Sequence, residues 1–120
     1  MKKILILFAM LFSVNLAIAQ ETVKDTYKET GNLIEATLYH DNGVIAQTGF
    51  YTKNNKLQGE WSSYDTAGVK TAEANYDNGK KVGTWKFFQG NIVKEVIYAD
   101  ARIAKVNTYE VLNTRVVSNK

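Results

Sequence analysis

The chain has no cysteine, no proline and a single histidine among its 120 residues. Without cysteine there is neither a disulfide staple nor a thiolate metal site, so stability rests on packing and backbone pairing alone. Without proline, nothing interrupts a β-ladder from within. One histidine cannot form an imidazole pair for a metal, and no serine stands at a known triad spacing from it. That residue, His40, opens the stretch HDNG with Asp41 and reads as a turn residue rather than half of an acid–base pair. Beyond the amino-terminal leader there is no 3.6-residue apolar stripe, which argues against helices. Excess charge is also scarce. The formal net charge is +3, and loss of Lys2 and Lys3 with the leader brings it to +1. A near-neutral domain has no electrostatic footing on nucleic acid, so none is expected as a partner.

The leader is the one long apolar run. A short basic start, MKK, precedes ILILFAMLFSVNLAIA, and small residues occupy the −3 and −1 positions at Ala17 and Ala19. This layout predicts a signal peptide over residues 1–19, cut between Ala19 and Gln20. The run is short of the roughly 20 apolar residues that span a bilayer, and Asn15 interrupts it. No cysteine follows the cut, which excludes a lipid anchor at that position. The expectation is a periplasmic or secreted protein with no transmembrane segment after removal of the leader. Residues 20–120 suffice for one small domain.

What the remainder does contain is a repeat. Tyr27–Gly31–Tyr39, Tyr39–Gly43–Tyr51 and Tyr64–Gly68–Tyr76 share one spacing, and Phe88–Gly90–Tyr98 is the same unit shortened by two residues. Between the units stand Gly59-Glu60-Trp61 and Gly83-Thr84-Trp85, with a related Gly49-Phe50-Tyr51. Turn signals punctuate the chain: HDNG at His40, KNNK at Lys53, DTAG at Asp65, DNGK at Asp77 (with Gly79) and QGN at Gln89. Asn-Gly and Asn-Asn tolerate the positive φ angles of tight hairpins. The runs between them are rich in Thr, Val, Ile, Tyr and Trp, as strands are. Strands joined consecutively by short turns form an all-β antiparallel meander, here of about eight strands from around Val23 to around Val111. The domain is assigned to residues 20–110, and residues 111–120 either trail as a tail or add an edge strand.

In a strand, residues i and i+2 share a face, so each Gly-x-Trp glycine and its tryptophan point the same way. The expectation is that glycine leaves bare backbone on which a ring from the next strand lies. A two-residue loop at Asn54-Asn55 puts Phe50 opposite Gly59; a three-residue loop turns the pairing to the other face. Apolar residues such as Ile45, Phe50, Val82, Phe88 and Ile97 break strict alternation and are expected on both faces.

The pattern from Tyr76 to Tyr98, YDNGKKVGTWKFF followed by glycine and tyrosine, resembles the MORN repeat in its small bacterial, antitoxin-like variants. The resemblance covers Tyr39 to Tyr98 best and Tyr27 to Tyr39 more weakly; the chain departs from it at Phe88–Gly90 and after Asp100. The resemblance implies a meander of hairpins used for protein or lipid association, with no catalytic residue to carry over. The repeat residues are Tyr39, Gly43, Tyr51, Gly59, Trp61, Tyr64, Gly68, Tyr76, Gly79, Gly83, Trp85, Phe88, Gly90 and Tyr98.

GKKVG does not make a phosphate loop: the spacing differs from G-x-x-x-x-G-K-[ST], and the stretch lies between strands. Lys80 and Lys81 are read as turn and strand-start residues on a solvated edge. Glu73 and Glu95 occupy matching places in successive units, which favours a structural role over a glycosidase pair. The expectation is an exported, non-enzymatic module without cofactor or metal. It would bind a protein, envelope surface or glycan, or associate with itself through an edge strand. The alternatives are an antitoxin-like inhibitor of a partner protein and a small enzyme with an atypical site.

Overall fold

The structure, a computed structural model, describes residues 23–112. The leader and residues 113–120 of the tail lie outside the described residues. The described chain is all β: β1 (Thr26–Thr30), β2 (Leu33–Tyr39), β3 (Ile45–Thr52), β4 (Leu57–Tyr64), β5 (Lys70–Asp77), β6 (Lys80–Lys81), β7 (Gly83–Gln89), β8 (Ile92–Ala99) and β9 (Arg102–Glu110). All pair antiparallel in one sheet ordered as in the sequence, with β6 paired to the end of β5 before β7 takes over. The sheet is open, and β1 and β9 are its edges. The ninth strand arises because the stretch expected as one strand from Lys81 to Phe88 breaks at Val82 into β6 and β7.

The loops follow the local chemistry. Two-residue loops join β1 to β2, β5 to β6, β7 to β8 and β8 to β9. Asn78 and Gly79 have φ of 51° and 85°, the doubly left-handed geometry that matches strand twist. Lys53–Asn55 is a three-residue loop: the Thr52 amide donates to the Lys56 carbonyl at 2.7 Å, and Asn55 has φ 65°. The two longer turns are twins. The His40 and Asp65 amides donate to the Val44 and Val69 carbonyls at 2.8 and 2.9 Å.

The three-residue loop settles the register: Phe50 faces Gln58, and Gly59 is not its partner. One expectation is corrected here. Nothing lies within 4 Å of where a side chain on Gly59 would start, and Gly59 and Gly83 instead carry φ of 70° and 65°. Each sits in a wide bulge. Thr48 pairs with Ser62 and Phe50 with Gln58, so three residues of β4 oppose the one residue Gly49. The same excess recurs where β5 passes from Lys81 to Lys86. Left-handed glycine is the usual way to open such a bulge. The role of bare backbone belongs to Gly49, where an added Cβ would stand 2.0 Å from the Trp61 ring.

The pairings also assign the faces. Following the pairings across the sheet, Tyr51, Trp61, Ala74, Trp85, Val96 and Tyr98 share one face. Phe50, Phe88 and Ile97 each adjoin a residue of that face and therefore lie on the other. Apolar residues therefore stand on both faces: Trp61, Trp85 and Val96 on one, Phe50, Phe88, Val93 and Ile97 on the other. The repeat aromatics divide the same way. Tyr51, Tyr76 and Tyr98 lie on the tryptophan face, and Tyr39, Tyr64 and Phe88 on the opposite face at the other end of the strands.

Gly49→Ala should destabilise the domain by about 1–3 kcal/mol, because the Trp61 indole stands in the way of the methyl group. A lowered urea midpoint checks this. Ala101→Gly should have the opposite sign. Ala101 holds φ 63° without being glycine, and relief of that conformation is worth about 1–2 kcal/mol. A raised midpoint in the same melt is the expected outcome.

Candidate binding face

A single sheet has little interior. The buried apolar residues are Ala36, Trp61, Trp85, Val93 and Val96, and the tryptophans are only 5% and 8% exposed. Their burial is achieved within one layer. The Trp61 indole lies on Gly49, donates from Nε1 to the Phe50 carbonyl at 2.9 Å and meets Tyr51 edge-on with centroids 5.0 Å apart. Trp85 repeats this: Nε1 donates to the Asn75 carbonyl at 3.0 Å, and Tyr76 meets it edge-on at 5.1 Å. Both acceptors lie in the bulge, and the Asn75 carbonyl also accepts the Val82 amide. Aromatic pairs in this geometry add about 0.5–1.5 kcal/mol beyond burial.

Around these anchors the face is largely apolar, with Lys81 and Lys94 as its central charges. Ile34, Ala36 and Leu38 extend it over β2, and Ile92, Val96 and Val106 over β8 and β9. Burial pushes the Tyr51 and Tyr76 hydroxyls above the ordinary tyrosine range, Tyr27 and Asp25 adding to this for Tyr51 and Tyr98 for Tyr76. Both rings therefore stay neutral. Lys81, expected on a solvated edge, places its Nζ 5.1 Å from the Trp85 ring centre and 5.6 Å from that of Tyr98. It stands where Leu57 stands one repeat earlier, and its cation takes over the covering of the ring. That role had a signal: lysine and leucine exchange at one place in the repeat.

Between the tryptophans β5 offers only Ala72 and Ala74. They floor a shallow trough of about 310 Å³, walled by Trp61 and Tyr51 on one side and Trp85 and Phe87 on the other. Gln47 and Ser63, hydrogen-bonded at 3.2 Å, close its polar end. Phe87 is 40% exposed and stands beside the trough as an unfilled ridge.

The opposite face is charged. Glu73 and Glu95 flank Lys86 in register, Glu73 bonds Lys70 at 2.9 Å, and the Tyr109 hydroxyl reaches Glu95 at 3.4 Å. The bond to Glu73 raises Lys70 above the ordinary lysine range. His40 lies in its turn and donates from Nε2 to the Tyr64 carbonyl at 2.8 Å, and Asn42 donates to the Thr66 carbonyl at 2.9 Å. Both bonds join residues 24 apart, so the first long turn is stitched to its twin in the next repeat. His40, Glu73 and Glu95 are therefore not brought together at one place. Among the described residues no group of three His, Asp or Glu side chains has metal-binding geometry.

Fold and face together define an open, single-layer β-repeat protein with both tryptophans on one side and most of its charged residues on the other. Comparison of the chain with protein-family models, curated proteins and solved structures finds no match.

Trp85→Ala and Trp61→Ala should each cost about 3–5 kcal/mol, the range for buried large aromatics. Chemical denaturation followed by circular dichroism checks this. An unchanged midpoint would mean that the indoles do not hold the sheet together.

Proposed function

We propose that the chain is an exported, non-enzymatic MORN-like repeat module that works by holding a partner against its tryptophan face. The observation that carries this reading is the asymmetry of the sheet: most charged residues lie on one side, while the other carries both tryptophans, their tyrosines and few charges, with no second layer over it among the described residues. Contiguous apolar surface beyond a few hundred Å² marks interaction sites. The tryptophans are too buried to stack on a ligand, so contact is made by their half-exposed neighbours Tyr51, Leu57, Tyr76 and Phe87. The titratable groups singled out in the sequence have structural partners: His40 holds a turn, and Glu73 holds Lys70. The leader and repeat spacing support the export and MORN-like parts of the reading.

The test is site-specific photocrosslinking in the producing cell, with a photoreactive residue at Phe87 on one face and at Glu60 on the other. Adducts should form from position 87 and not from 60. Adducts from position 60 alone would overturn the reading, as would turnover of a small molecule by the purified protein. Intact mass of the exported form should begin at Gln20; a full-length membrane-retained species would remove the export part.

A further inference from the structure

We infer that the occupant of the tryptophan face is a second copy of the chain, packed face to face about a two-fold axis that runs along the strands between β5 and β7. This rests on the binding-face reading above and names its partner.

Side chains across one level of the sheet stand in a self-complementary order. Following the pairings, Gln47, Ser63, Ala72, Phe87, Lys94 and Thr108 form a single row on this face. Rotation about an axis between Ala72 and Phe87, parallel to the strands, preserves level and reverses the row. Phe87 then lies over Ala72 of the second copy, Lys94 over its Ser63, and Thr108 over its Gln47. The ridge meets the trough, and polar residues meet polar residues. At the next level Trp85 lies over Ala74 of the second copy and Val96 over its Trp61, so apolar meets apolar and large meets small. A ridge beside a hollow at the same level on neighbouring strands is the self-complementary patch that an isologous two-fold contact requires. A foreign partner would give no reason for this order.

Size and geometry agree. Eight ladder strands about 4.8 Å apart and about seven residues long at roughly 3.3 Å each give a face of about 800 Å². That is close to the roughly 800 Å² that each partner buries in a standard stable interface. Because the axis follows the strands, the two sheets stack with strands aligned, as in sandwiches with sheets about 10 Å apart. Sheet twist separates the rows away from the axis, so the pairs at Phe87, Ala72, Trp85 and Ala74 carry the fit.

The experiment uses residues 20–120. Sedimentation equilibrium should show a dimer, and Phe87→Lys should weaken it by about thirty-fold or more, as expected for a central aromatic anchor. Its circular dichroism should stay that of the wild type. Orientation is tested with thiols, which the chain lacks. A mixture of Ser63→Cys and Lys94→Cys proteins should give a covalent heterodimer with a short thiol–thiol linker, and neither variant alone should. A monomeric wild type would overturn the dimer, and so would cross-linking of each variant with itself in place of the mixture. Photoadducts from position 87 that contain another species and not the chain would sink the dimer while leaving the binding face intact. Absence of any adduct from position 87 would remove both.

Discussion

The seating of an indole over a bulge is the constraint on which the rest of this sheet depends. A one-layer sheet has no opposing layer to remove side chains from water, so its core must be built within its own surface. Trp61 and Trp85 do this by lying along the strands rather than standing away from them. That posture needs three things at once: backbone with no side chain or a small one beneath the ring, a carbonyl within reach of Nε1, and an edge-on tyrosine to close the side. Gly49, the Phe50 carbonyl and Tyr51 meet these needs in one repeat, and the Asn75 carbonyl and Tyr76 meet the last two in the next. The wide bulge at Gly59 and Gly83 brings them together, because two extra residues keep the alternation of side chains while advancing the tryptophan along its partner strand.

The repeats are then tied at both ends of the strands, by bonds that step from one turn to a later one. At one end His40 and Asn42 reach the carbonyls of the next long turn. At the other, Lys53 bonds Glu29 and the Gly79 amide donates to the Leu57 carbonyl. The Lys53 ion pair lowers the Glu29 carboxyl below the ordinary range, but Glu29 is exposed and solvent screens the pair. The neutral bonds between turns therefore matter more for holding neighbouring hairpins in line. In a repeat protein, stability comes from such nearest-neighbour terms.

Two chemically different faces follow from this construction and decide what the protein can do. Most charged side chains lie on one side, and the tryptophan side carries only a few, Glu29, Lys81, Lys94 and Glu110. The trough over Ala72 and Ala74 shows that the face is shaped as well as apolar, since small residues sit on the strand between the two tryptophans. An open edge at β9 is a weaker invitation. Its register shift between Ile97 and Tyr98 bends the strand, and Lys105 is carried on it, both of which discourage edge-to-edge pairing.

Strand content, strand order and turn positions were legible in the sequence, because they depend on local chemistry: Asn-Gly and Asn-Asn at tips, β-branched and aromatic residues between, and no proline. The repeat of Tyr, Gly and Trp also read correctly as hairpin punctuation. What the sequence left open is what depends on pairing across strands. Whether Asn54-Asn55 closes a loop of two residues or three shifts Phe50 from Gly59 to Gln58, and no local preference separates the two. That Gly49, and not Gly59, lies beneath a ring follows from the bulge, which exists only when two strands oppose unequal numbers of residues. Which face Phe50, Phe88 and Ile97 take also depends on register, and the pairings put them on the side away from the tryptophans. The sequence by itself determined that this chain becomes a meander. Only the tertiary structure, by fixing register through the seating of two indoles, decided which side of it carries the tryptophans.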